Sequence, residues 1–189
     1  MMRRCLHALA AGVALGHAVV GTVTAHPLPG TTVTVSADAD SVDLMVSMPL
    51  HELELAMPGG TGLGPSPPEG PLPPDVQAAL SAYLADHLDL APAEGASLSP
   101  EVTEASIASA TDDHVGRYDL VMLHLVAPII PDQAVFPLTL SFDAVLHEVR
   151  SHRATVLLQP SGQDPAAIAV IRLDSATGEA APVVIPAAP

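Results

Sequence analysis

Residues 31–49 read TTVTVSADADSVDLMVSMP, and this stretch decides the fold. Thr31, Val33, Val35 and Ala37 alternate with Thr32, Thr34 and Ser36, which puts two different surfaces on the two faces of an extended chain. Asp38-Ala39-Asp40-Ser41 is turn-forming, and Val42, Leu44, Val46 and Met48 resume the period of two up to Pro49. The pattern predicts a β-hairpin with one buried face. A lone hairpin is unstable in water, so further strands must cover it.

They follow downstream. Residues 97–109 alternate loosely, residues 111–114 (TDDH) suit a turn, and residues 117–126 (RYDLVMLHLV) are apolar on both faces, as in a covered central strand. Leu138, Leu140, Phe142, Ala144 and Leu146 share one face of another predicted strand, with Thr139, Ser141, Asp143, Val145 and His147 on the other. Residues 155–158 and 167–173 complete a set of six to eight strands. Between them, Pro74 and Asp75 open a helix in which Val76, Ala79, Leu80, Tyr83, Leu84, His87 and Leu88 recur at helical spacing. Residues 50–57 (LHELELAM) fit either a short helical turn or an irregular edge. The expected fold is α+β and mainly β, an antiparallel β-sandwich-like domain with one clear helix.

Three segments lie outside this framework. Residues 58–74 hold twelve Gly or Pro in seventeen positions and predict a mobile surface insertion. Residues 174–189, rich in Ala and Pro, read as a frayed tail, which leaves residues 26–173 as the domain. At the start, Arg3 and Arg4 precede an Ala/Val/Leu/Gly run, and Val23-Thr24-Ala25 supplies a cleavage-site pattern. Residues 1–25 are therefore expected to be a signal peptide, with a periplasmic or secreted product that begins at His26. The competing reading is an uncleaved anchor, since the run approaches membrane-spanning length. Its weak hydrophobicity and the interrupting His7 and His17 argue against an anchor.

Cleavage would remove Cys5, the only cysteine, so the mature chain would have neither disulfides nor thiolate ligands. It would keep four arginines, no lysine and 21 carboxylates, a formal charge of −17. Such a charge excludes nucleic acid as a partner, because phosphate binding rests on Lys and Arg. It would attract cations, although solubility explains acidity equally well. No G-x-S-x-G, H-E-x-x-H or phosphate-cradling glycine loop is present, and no enzymatic activity is expected.

Histidine carries the candidate chemistry. An N-terminal His26 would offer its amine and Nδ1 together to a divalent ion such as Ni, Cu, Co or Zn. His147 and His152 become cross-strand neighbours if residues 148–151 form a hairpin loop, and Asp143 lies on the same strand face as His147 as ligand or orienter. Arg150 and Arg153 oppose a cation there, and hydrogen bonding alone would account for both histidines. His124, within an apolar strand, suits a hydrogen-bonded core role, and His87 a packing or capping role at the end of the helix.

The ordered segments 26–29 (HPLP), 48–56 (MPLHELELA), 80–87 (LSAYLADH) and 136–154 (FPLTLSFDAVLHEVRSHRA) together resemble the extracytoplasmic N-terminal portion of HupE/UreJ-like membrane proteins. The resemblance spans most of residues 26–160. It implies association with a polytopic membrane protein linked by name to the uptake of nickel or related metals. The membrane region itself is not found in this sequence, so the resemblance implies a membrane half carried on a separate polypeptide. On this reading the chain is an accessory domain that binds a divalent transition metal through His26, His147 and His152, assisted by Asp143 or His51. The competing reading is a non-metal periplasmic interaction module with structural histidines. The sequence does not fix the oligomeric state.

Overall fold

The computed structural model describes residues 29–129 and 134–187. The hairpin forms as its pattern requires: β1 (Thr31–Ala37) and β2 (Ser41–Pro49) pair antiparallel, with Val33 opposite Val46 and Val35 opposite Leu44. The intervening turn is closed by Asp38, whose Oδ1 accepts the N–H groups of Asp40 and Ser41 at 2.8 Å each. Those two bonds favour the carboxylate and hold Asp38 below its ordinary acidity range.

Ten strands and two helices follow one another in the described residues. After β2 come α1 (Leu50–Ala56), β3 (Gly70–Pro71), α2 (Pro74–His87) and β4 (Leu88–Pro92). Then come β5 (Glu101–Asp112), β6 (Gly116–Pro128), β7 (Leu138–Phe142), β8 (Ala154–Leu158), β9 (Ala166–Ile171) and β10 (Val183–Ile185). They build a seven-stranded sheet in the order β3-β5-β6-β2-β1-β8-β9 and a three-stranded sheet in the order β10-β7-β4. One cluster of buried side chains joins the inner rows of both sheets with Leu53 of α1 and Leu80, Tyr83 and Leu84 of α2. The fold is mainly β, as the alternation predicts, with two helices where the sequence predicts one clear helix. One pairing breaks the antiparallel rule: β1 and β8, more than a hundred residues apart, run parallel. The chain passes very close where they meet, because a Cβ on Gly30 would lie 2.4 Å from the Arg153 carbonyl oxygen.

One open reading is decided, and three expectations need correction. Residues 50–56 form a true helix, α1, with Glu52 and Leu53 buried. The Gly/Pro segment is not loose: β3 adds to the edge of β5, Leu72 is buried, and the Thr61 hydroxyl and N–H donate to the Glu54 carboxylate. The C-terminal segment is not frayed either. Val183–Ile185 pairs with β7, and Ile185 is fully buried. Finally, the strand expected to run to Leu146 stops at Phe142, and residues 144–148 form a turn. Val145, expected to face outward, is fully buried with φ +66°. A β-branched residue rarely adopts that conformation, so the surrounding structure must impose it.

Candidate metal centre

The turn that ends β7 creates the site. β4 and β7 pair antiparallel with Leu88 opposite Phe142, so one further step sets His87 against Asp143. The Asp143 N–H donates to the His87 carbonyl at 3.1 Å, and the His147 N–H donates to the Asp143 carbonyl at 3.1 Å. Asp143 and His147 are therefore one turn apart on the same side of the chain, and His87 arrives from the end of α2. These three residues form a group that could hold a metal ion, with one candidate ligand atom from each lying within 4.8 Å of the others.

Their hydrogen bonds fix the tautomers. Asp143 Oδ1 can only accept, so His87 donates its Nδ1 hydrogen to it, at 2.8 Å. The Asp143 carbonyl likewise accepts the Nδ1 hydrogen of His147, at 3.2 Å. Asp143 thus orients both imidazoles, and each Nε2 keeps its lone pair without a partner among the described residues. Carboxylates and carbonyls commonly orient metal-bound imidazoles in this way. The rings stack with centroids 4.1 Å apart and 12° between their planes.

Tyr83 braces the pair from beneath. Its ring lies 4.6 Å from that of His87 and 5.9 Å from that of His147. Its hydroxyl accepts the N–H of Val145 at 2.8 Å, which satisfies a buried donor in the strained turn. Burial pushes the Tyr83 hydroxyl up to about 12, with the nearby Asp143 and Glu148 carboxylates adding to the effect and the Val145 bond opposing it. A cavity of about 470 Å³ opens beside the histidines. It is bounded by the α2–β4 junction, the end of β7 and residues 173 and 178–180.

The residues expected to bind metal are only partly brought together. His147 and Asp143 belong to the group, and His26 lies outside the described residues. His152 does not join His147, because the segment between β7 and β8 passes from one sheet to the other instead of forming a hairpin. Its side chain is 1% exposed, and both ring nitrogens are engaged. Nε2 accepts from the Thr31 N–H at 3.2 Å and lies 2.8 Å from the Thr31 hydroxyl. The proton is therefore on Nδ1, which donates to the buried Glu52 carboxylate of α1. Hydroxyl, imidazole and carboxylate follow in the order of a nucleophile triad. Thr31 is only 1% exposed, however, and its own N–H shares the imidazole nitrogen, so this network ties α1 to the start of β1. His51 is exposed on α1 and lines a different cavity, of about 680 Å³, with Arg117 and Tyr118. His124 is hydrogen-bonded as expected, with Nε2 2.8 Å from Asp43 Oδ1 and Nδ1 3.1 Å from the Thr103 hydroxyl, but it lies partly exposed on the outer face of β6 and not in the core.

His87 is the member that sequence reasoning assigned to packing. The missing signal was residues 88–92 (LDLAP), a strand directly continuous with the helix. Pairing them with residues 138–142 (LTLSF) brings His87 opposite Asp143. Among the described residues, no helix is long and apolar enough to cross a membrane. In comparisons with known proteins, the chain matches no family model and no curated protein sequence.

Proposed function

We propose that the chain is an exported β-rich domain that binds one divalent transition metal ion at His87 and His147 and serves a membrane partner. The observation that carries this reading is Asp143, whose side chain and backbone carbonyl each hold the Nδ1 hydrogen of one imidazole. Each imidazole is left with an Nε2 atom that no other described residue claims, beside a common cavity. Imidazole donors of this kind suit Zn, Cu, Ni or Co. Tetrahedral ligation at about 2.1 Å sets two ligand nitrogens roughly 3.4 Å apart, so the stacked rings must turn out of their parallel arrangement to aim both lone pairs at one ion. Export is supported by the pattern of residues 1–25. The membrane partner is supported by the resemblance to HupE/UreJ-like N-terminal regions. An N-terminal His26 remains part of this proposal as a separate chelating group.

Calorimetric titration of residues 26–189 carrying His26→Ala, which silences the separate N-terminal chelator, with Ni, Cu, Co and Zn tests the site. The expected result is one ion bound per chain with Kd below about 10 μM, which corresponds to roughly −7 kcal/mol. Replacing His87 and His147 together by alanine abolishes that binding. Unchanged binding in the double variant, or none in the parent chain, contradicts the proposal.

The competing interaction-module reading draws on one feature. β9 is a sheet edge without a charged residue, and Ala166, Ala167, Ile168 and Val170 are all exposed. An uncovered edge of this kind is a ready template for a partner's strand.

A further inference from the structure

Two imidazoles alone make a weak metal site, and Asp143 is already occupied in orienting them. The remaining boundary of the cavity is formed by Leu173 and residues 178–180, where the chain leaves β9 and turns back towards β10. This turn is pre-built. Leu173 bridges Ala180, the Asp174 N–H donates to the Glu179 carbonyl at 2.8 Å, and the Gly178 N–H donates to the Asp174 carbonyl at 2.8 Å. Asp174 Oδ1 also accepts the N–H groups of Ala176 and Thr177, at 2.8 and 2.9 Å. The Glu179 N–H lies 3.3 Å from the Thr177 hydroxyl. Every constraint on Glu179 is thus on its backbone. Its carboxylate makes no hydrogen bond or ion pair among the described residues, although the residue lines the same cavity as His87 and His147.

Resting on the metal reading above, we infer that Glu179 supplies the carboxylate ligand that completes the site. The metal then pins the C-terminal segment to the α2–β7 face. Asp86 and Asp89 also line the cavity, but they flank His87 on the same stretch of chain. Glu179 adds a donor from a separate element, so coordination closes a link between residues 87, 147 and 179. Glu179 lies outside the group whose ligand atoms come within 4.8 Å of one another, so its carboxylate has to swing in from the cavity wall, at the cost of ordering one rotamer-rich side chain on a backbone that is already fixed. The consequence reaches past the ion itself. β10 follows the turn directly and pairs with β7, so metal occupancy would govern how firmly Val183–Ile185 stays docked.

The test compares the parent chain with Glu179→Gln and Asp89→Asn, each of which removes one charge from the cavity. Zn and Ni affinities are measured by calorimetry, and amide exchange over residues 173–187 with and without Zn. Glu179→Gln is expected to lose tenfold or more in affinity, at least what loss of an orienting partner costs. Asp89→Asn is expected to change affinity less than about threefold, as suits a solvent-screened charge. Zn should slow exchange at residues 183–185 in the parent chain and not in Glu179→Gln. Parent-like affinity in Glu179→Gln, or an equal loss in Asp89→Asn, overturns the role of Glu179 while leaving the histidine site standing. Absence of binding in the parent chain overturns both.

Discussion

At the scale of single residues, the structure uses chemically similar histidines in opposite ways. His152 is sealed, with Thr31 on one nitrogen and Glu52 on the other, and the cluster contains a buried carboxylate. Removing the imidazole would strand that charge. His152→Ala is therefore expected to lower unfolding stability by about 3–5 kcal/mol, and denaturant titration measures it. An alanine variant of the exposed His51 should fall within about 0.5 kcal/mol of the parent in the same experiment. Tyr83 makes a different prediction, through pH. Its hydroxyl is pushed up from 10 to about 12 in the fold, so the folded chain holds that proton more tightly than the unfolded chain does. The stability this contributes is complete below pH 10 and is lost as pH rises through 12. Tyr83→Phe should remove that alkaline loss. It should also destabilise the fold by about 1–3 kcal/mol at pH 7, because the buried Val145 N–H loses its acceptor. Parallel stability curves for parent and variant between pH 9 and 12 would count against this role for Tyr83.

At the scale of elements, periodicity made the regular parts legible. The 31–49 hairpin, α2 and the inward rows of β6 and β8 follow from apolar spacing, since each has one face against the core. What stayed hidden depended on partners distant in the chain. β3 and β10 are two and three residues long, too short for any period to register, and exist because β5 and β7 offer edges. The end of β7 was hidden for another reason. Residues 144–146 continue an apolar run, but all three side chains are buried in a turn whose buried Val145 N–H would have no partner without the Tyr83 hydroxyl. The same turn explains the partial reading of the site. Asp143 and His147 are four apart and could be associated locally, whereas His87 joins them only through the β4–β7 register. The His147–His152 pairing failed because adjacent strands in sequence belong to different sheets.

At the scale of the whole molecule, the acidic surface and the histidine site act in the same direction. A strongly negative chain concentrates cations near its surface. On the proposed reading, the site would then select among them through imidazole nitrogen, which favours transition metals over calcium or magnesium. Neither helix carries this chemistry alone; the seven-stranded sheet provides the support on which α2 and the small sheet bring His87, Asp143 and His147 together. The central claim is that two imidazoles from distant parts of the chain share one metal ion. X-ray absorption on chain loaded with one equivalent of Zn measures this directly, because coordinated imidazoles leave a characteristic outer-sphere scattering pattern. The account predicts two histidine ligands at about 2.0–2.1 Å, reduced to one in His87→Ala. A spectrum with only oxygen ligands, or one unaltered by His87→Ala, would contradict it.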